Sequence, residues 1–271
     1  MKQKLKIGII GCGAIGTEMA KVCVGILKDS IDLVSIFDID KNKIKTLEEK
    51  IGKNIGASSL NSLIEKSDFL FEAASSSISA KILELAIAKV KDVMIMSIGG
   101  LLNRKDLLEK AKSIGIKVYL PSGALSGIDA LKAASISKIE SVTLITKKPP
   151  RGLEGAPYLE ENNIDLNKIS DETIVFEGNA REAIKGFPKN INVSALLSLA
   201  GIGADKTSVK IVTSPSFTRN IHEVEIKGEF GTIKTETINV PSPANPKTSY
   251  LAVLSAIATL KGIVGSVKIG T

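Results

Sequence analysis

The chain has no tryptophan, one histidine and two cysteines among 271 residues, and only 4% of it is aromatic. Each scarcity removes a class of function. Two cysteines in a chain this long build no disulfide framework, and Cys12 and Cys23 lack metal-ligand spacing, so a reducing compartment and chemistry without a bound metal are expected. The formal charge of +7 raises the question of nucleic acid, but Lys and Arg are scattered and aromatic stacking residues are few. No apolar stretch reaches the roughly 18 residues of a membrane span. The apolar run after the basic start is too short and too glycine-rich for a signal peptide. A cytoplasmic protein with neither membrane nor nucleic-acid partner is the expectation. No Walker loop, Ser-His-Asp order or paired-carboxylate signal is present. With 44% hydrophobic residues, the chain can bury a mainly aliphatic core in two domains.

Against these absences stands the opening Lys6-Ile-Gly-Ile-Ile-Gly-Cys-Gly-Ala-Ile-Gly16, an apolar strand running into a glycine turn and then a helical pattern. Gly11 allows the turn, Gly13 lets backbone approach a pyrophosphate, and Gly16 lets the helix pack closely on the strand. Ala14 and Ile15 open that helix, whose N-terminal end favours phosphate. A second apolar strand, 33–37, ends at Asp38, whose carboxylate can accept both hydroxyls of an adenosine ribose and repel a 2′-phosphate. Lys41 and Lys43 lie close by and soften that preference, so NAD is expected and NADP stays open.

To about residue 122, short apolar strands (6–10, 33–37, 69–73, 93–97, 117–120) alternate with amphipathic helices such as 15–27 and 78–89, the pattern of a doubly wound parallel sheet. Ligands bind beyond the carboxyl ends of such strands. Small residues follow three of those ends: Ala74 and Ser75-Ser76-Ser77, then Ser97-Ile-Gly99-Gly100, then Pro121-Ser122-Gly123-Ala124. Ser77 also reads as a helix cap, and the glycine pair as a plain loop.

Beyond residue 125 the strands are β-branched (141–146, 208–213, 222–228, 231–239), and antiparallel pairing is the simpler reading. Val224 to Ile233 alternates about a Gly-Glu-Phe-Gly turn, as a hairpin does. The fold class is thus α/β: a Rossmann-type parallel sheet plus a second α+β domain with a largely antiparallel sheet. The first domain spans 1–123, and the C-terminal segment 243–271, with a helix over 251–263, packs back on it. The second, substrate-binding domain spans 124–242.

His222, the sole imidazole, is the natural group to accept a proton as hydride leaves carbon, although a lone histidine at a strand start is commonly a surface or capping residue. Asn190 and Asn192 flank the first turn of an amphipathic helix, where they can cap it or recognise an amide or carboxylate. Lys147, Lys148 and Arg151 end a strand, as a solvated face or as partners for an acidic substrate.

Taken together, Gly11-Cys-Gly-Ala-Ile-Gly, Glu72-Ala-Ala-Ser, Pro121-Ser-Gly-Ala-Leu-Ser-Gly-Ile-Asp-Ala, Lys147-Lys-Pro-Pro, Phe187-Pro-Lys-Asn-Ile-Asn-Val, Asn220-Ile-His and Pro241-Ser-Pro-Ala-Asn-Pro-Lys-Thr-Ser resemble the L-aspartate dehydrogenase family nearly end to end. The resemblance implies an NAD(P)-dependent enzyme that oxidises L-aspartate to iminoaspartate, and so to oxaloacetate and ammonia, in support of pyridine-nucleotide biosynthesis. It also implies a homodimer. It makes His222 the active-site histidine and places Ala124 and one of the asparagines, Asn192 by its spacing, at the cofactor. Donors for the two substrate carboxylates are sought among Ser122, Lys147, Lys148, Asn190, Lys247, Thr248 and Ser249. The segment Thr213-Ser-Pro departs from the Asp-Pro common in the family, so no role is borrowed from that acid. A related reductase of the homoserine dehydrogenase or dihydrodipicolinate reductase kind, and a non-catalytic NAD(H) sensor, are the alternatives.

Overall fold

The computed structural model describes residues 3–188, 191–243 and 245–270, without the side chains of Ile191, Pro246 and Lys247. The chain divides into two compact units, one of Met1–Pro121 with Val253–Lys268, the other of Ser122–Ala252 with Ile269–Thr271.

In the first unit the elements run β1 (Leu5–Ile10), α1 (Ala14–Val24), β2 (Ile31–Phe37), α2 (Lys41–Ile51), α3 (Leu60–Lys66), β3 (Phe69–Glu72), α4 (Ser76–Ala88), β4 (Asp92–Ile95), α5 (Lys105–Ile114) and β5 (Val118–Tyr119). The strands pair in parallel in the order β2-β1-β3-β4-β5, so the chain reverses its winding between β1 and β3. Central parallel strands are covered on both faces and read as unbroken apolar runs. Ile7, Ile9 and Ile10 of β1 and the whole of β3 are accordingly buried. The α1 helix buries Gly16, Met19, Ala20 and Cys23, an i, i+3, i+4, i+7 stripe. Two residues of the C-terminal helix, Ala256 and Leu260, join the same core.

The second unit runs α6 (Ile128–Ala134), β6 (Ile139–Lys148), α7 (Pro157–Glu161), β7 (Thr173–Asn179), α8 (Ala180–Gly186), α9 (Ile191–Ala200), β8 (Thr207–Thr213), β9 (Asn220–Gly228), β10 (Gly231–Asn239), β11 (Pro241–Ser242), β12 (Asn245–Ser249) and the start of α10 (Tyr250–Val264). Its main sheet has the order β10-β9-β6-β8-β7. The β9–β10 hairpin forms about Glu229-Phe230, with Gly228 paired to Gly231. Even-numbered residues of β6 and β9, among them Val142, Leu144, Val224 and Ile226, face the core. Leu131 of α6 and Val142 of β6 both lie 3.5 Å from where a Cβ on Gly201, just past α9, would stand, so helices cover this face.

Three expectations change here. The central pair β6–β8 is parallel, while the other three pairings are antiparallel. A parallel pair needs a long crossover, which the chain between Lys148 and Thr207 supplies; alternation within one strand carries no information on its partner's direction. Strand β7 carries no strand pattern in the sequence, because an edge strand with only Val175 and Phe176 buried shows no full alternation. Residues Asn245–Ser249 of the 243–271 segment form a strand paired with β11, and the helix starts at Tyr250. Proline at 246 disfavours helical backbone at Asn245.

Candidate active site

Each unit carries its own group of candidate residues. In the first, β1 runs into Gly11, whose φ of +101° suits glycine and whose backbone lies against Ala73, leaving no room for a Cβ. A Cβ on Gly16 would overlap the Gly11 carbonyl oxygen. At Gly13, by contrast, no described atom beyond its own chain neighbours lies within 4 Å of where a Cβ would stand. Gly13 is the N-cap of α1, and the N–H groups of Ala14, Ile15 and Gly16 open the helix without intrahelical acceptors. The first turn holds no acidic residue. Open space, free donors and the positive end of a helix dipole together fit a pyrophosphate.

Asp38 follows β2 and is fastened in place. Its Oδ2 accepts the Cys12 N–H at 2.8 Å and its Oδ1 the Asp40 N–H at 2.9 Å. Each carboxylate oxygen retains acceptor capacity for a hydroxyl. The Cys12 N–H is thus committed to Asp38 rather than to phosphate. Burial first, and Asp38 second, push the Cys12 thiol up to about 12, and burial does the same at Cys23. Both thiols stay neutral and unreactive.

After β3, Ala74 and Ser75 are exposed at the sheet's carboxyl end. The cap of α4 is Ser75 and not Ser77, which lies inside the helix; the two hydroxyls are 2.8 Å apart, and Ser75 makes no side-chain capping bond. Among the described residues no group of three His, Cys, Asp or Glu side chains is placed to hold a metal, and no helix is long and apolar enough to cross a membrane.

In the second unit, His222 sits on the helix-covered face of β9 and is 4% exposed. Cross-strand register places it opposite Thr146 of β6, and Thr146 Oγ1 lies 3.1 Å from His222 Nδ1. Lys148 is two residues further along β6, so it points to the same face. Burial first, and the Lys148 charge second, hold the imidazole down at about 3, so it is neutral at physiological pH. Burial also pulls the Lys148 ammonium down to about 8, although part of its side chain still meets solvent. The three cations of the Lys147 cluster do not converge. Lys147 faces the other way and pairs with Glu223 at 2.9 Å and Glu172 at 3.4 Å, and Arg151 is exposed in a short 3-10 turn.

Asn239, at the end of β10, gathers three segments. Its Nδ2 donates to the Ala124 carbonyl at 3.2 Å, and its Oδ1 accepts the Ser249 hydroxyl. The Ser126 and Thr237 hydroxyls are 2.8 Å apart beside it. This polar net holds Ala124 and Ser249 at the end of the sheet that carries His222.

A family model described as aspartate dehydrogenase, C-terminal, matches residues 129–263, and one described as homoserine dehydrogenase, NAD binding domain, matches residues 11–121. The chain is 47% identical over 272 residues to the L-aspartate dehydrogenase of Methanococcoides burtonii, covering 98% of this chain and 100% of that protein. The chain belongs to the L-aspartate dehydrogenase family. The L-aspartate dehydrogenase of Methanosarcina barkeri is 46% identical over 273 residues, with 98% and 100% coverage. The crystal structure of aspartate dehydrogenase from Thermotoga maritima shares the fold, with a TM-score of 0.76 at 24% identity over 99% of this chain and 100% of that one. Members of the family are NAD(P)-dependent oxidoreductases, and the glycine-turn unit is the NAD(P)-binding domain here.

Asn192 is exposed in the first turn of α9. That helix is less one-sided than its sequence stripe, since Ser194 to Ser198 are all buried. Ser122 and Thr248 are half-buried, and the Ser122 carbonyl accepts the Leu125 N–H. Ser249 already donates its proton to Asn239. Asn190 and the Lys247 side chain lie outside the described residues.

Sequence reasoning missed Thr146 and Asn239 as polar partners. Thr146 continues the buried face of Val142 and Leu144 on β6, and Asn239 is the one buried residue of β10, a readable signal once the strand faces are known.

Proposed function

We propose that this chain catalyses the NAD-dependent oxidation of L-aspartate to iminoaspartate, which water converts to oxaloacetate and ammonia, and the reverse reaction. The observation that carries the reading is the buried His222–Thr146 pair with Lys148 beside it, in a chain alike end to end to L-aspartate dehydrogenases. Gly11, Gly13, Ala14, Ile15 and Gly16 hold the pyrophosphate, and Asp38 accepts the ribose hydroxyls and favours NAD over NADP. Ala74, Ser75, Ala124 and Asn192 complete the cofactor contacts. NAD, when bound, accepts the hydride that leaves the substrate Cα.

The chain's own residues handle the protons and charges. Neutral His222, with Nδ1 engaged by Thr146, uses Nε2 to take the proton that the substrate amine releases as the C=N bond forms. After passing that proton to solvent, it takes a proton from the water that adds to the imine carbon and delivers it to the nitrogen; the hydroxyl proton of the carbinolamine follows as the C–N bond breaks, and ammonia leaves. Lys148, as a cation, pairs with a substrate carboxylate, and Ser122, Asn190, Lys247 and Thr248 supply the further donors, the Ser249 hydroxyl being committed to Asn239. Iminoaspartate formed in this way feeds pyridine-nucleotide biosynthesis. The protein works in the cytoplasm as a homodimer, for which the half-exposed outer sheet face bearing Ile145 and Ile238 is the natural contact.

The deciding assay follows NADH absorbance with oxaloacetate plus ammonia, beside homoserine and a dihydrodipicolinate precursor. Oxidation of NADH with oxaloacetate and ammonia alone is expected. Turnover with one of the other two instead would reassign the substrate, and silence across the panel with intact NADH binding would favour a sensor.

A further inference from the structure

In the NAD(P)-binding unit, one charged side chain is buried without any part in the reading above. Glu72, the last residue of β3, is 0% exposed, and the rest of its strand is Phe-Leu-Phe. Its register partners are Ile10 of β1 and Ile95 of β4, so it stands at the carboxyl end of the sheet, on the strand next to the glycine turn. Three donors converge on its carboxylate. Oε1 accepts the Ala74 N–H at 2.7 Å and the Ser97 hydroxyl at 2.8 Å, and Oε2 accepts the Ser97 N–H at 2.9 Å.

These donors come from two separate segments, the one leaving β3 into α4 and the one leaving β4 into a 3-10 turn, Ile98–Leu101. A second contact binds the same segments: the Gly100 Cα lies so close to the Ser76 carbonyl that a Cβ would overlap it. A buried carboxylate is a poor choice for core stability alone, since an apolar side chain of similar volume avoids the desolvation cost. Burial does push the Glu72 carboxyl up, and the bonds from Ser97 and Ala74 oppose it. What the carboxylate supplies, and an apolar residue does not, is a fixed anchor for backbone at two adjacent strand ends.

We propose that Glu72 is a positioning residue for the cofactor, its carboxylate joining Ala74 to Ser97 so that the two strand-end segments hold one arrangement for the dinucleotide. The inference rests on the assignment of this unit to NAD(P) and not on the identity of the substrate. Glu72→Gln keeps size and shape but sets an amide NH2 against an N–H or O–H donor, breaking at least one bond and adding a donor clash. Ser97→Ala removes the hydroxyl bond alone and leaves the backbone bond.

The test is direct NADH binding by fluorescence titration of the purified protein without substrate, alongside thermal unfolding, and KM for NAD set against kcat. Glu72→Gln is expected to weaken NADH binding about 10-fold or more and Ser97→Ala about 3-fold, the worth of one to two hydrogen bonds. In both variants kcat at saturating NAD stays within about 3-fold of wild type. If Glu72→Gln does not fold, Ser97→Ala decides by the same titration. Unchanged NADH affinity with lowered thermal stability would make Glu72 merely structural, and lowered kcat at unchanged affinity would place it in the chemistry; either result overturns the proposal. A wild-type protein that fails to bind NADH would overturn it too, whereas one that binds NADH but does not turn over aspartate would sink only the substrate assignment.

Discussion

The two units build their sites by opposite means. In the first, apart from the Asp38 carboxylate, the phosphate contacts are backbone groups and the absence of side chains: Gly11 and Gly16 leave no room for a Cβ, Gly13 opens onto free space, and the start of α1 offers its N–H groups. In the second, the contacts are side chains on one covered sheet face, brought together by strand pairing from positions 76 residues apart, as with Thr146 and His222. A backbone site is local in sequence and intolerant of added atoms. A side-chain site is dispersed, and its members can be removed one at a time with the fold intact.

The sharpest way to break this contrast is at Gly16. Gly16→Ala forces a Cβ into the Gly11 carbonyl, at a cost of about 3 kcal/mol or more, so NADH binding is expected to vanish with partial loss of folding, read by fluorescence titration and circular dichroism. Normal binding would mean that the turn relaxes freely and the backbone account is wrong.

Next in size is His222→Ala, expected to lower kcat by about 10²–10⁴ with NADH affinity unchanged. Coupled losses of binding and turnover would erase the separation of roles between the units.

A pH series sharpens the side-chain site. The Lys148 ammonium, held at about 8, is a cation below that pH and neutral above it, so KM for aspartate should rise as pH climbs past about 8. Lys148→Gln should raise KM and flatten that limb. His222, held down near 3, is already neutral at pH 6.5, so no acid limb from it should appear there. An acid limb near pH 6.5 that disappears in His222→Ala would show that the imidazole is less desolvated than its burial implies.

The smallest effect is expected from Thr146→Val, which preserves shape and deletes one hydrogen bond to Nδ1. A loss of about 2- to 10-fold in kcat, with little change in KM, matches a bond worth roughly 1 kcal/mol. No change would leave the imidazole oriented by packing alone.

Much of this was legible before any fold was known. The alternation of strand and helix from β1 to β5 follows from apolar runs buried on both faces, and the hairpin at Glu229-Phe230 from alternation about two glycines. The glycine turn and Asp38 are close in sequence to the elements they serve, so a short window contains the whole argument. Less visible were the parallel β6–β8 pair, the edge strand β7 and the strand at Asn245–Ser249. Strand direction and partnership depend on the connection and on neighbours, which a local pattern does not encode. Lys147 and Lys148 show the same limit at the scale of one residue: adjacent in sequence, they face opposite sides of a sheet, one into an ion pair and one beside the imidazole.

The sequence by itself determined the class of each unit, the phosphate-cradling turn and the identity of the only imidazole, because these depend on periodicity, on glycine's missing side chain and on composition. The tertiary structure alone decided that His222 is buried and neutral, that Thr146 and Lys148 share its face, and that Glu72 ties two strand ends together. Protonation state and hydrogen-bond partnership are set by what surrounds a group in space, and those surroundings come from residues far away along the chain.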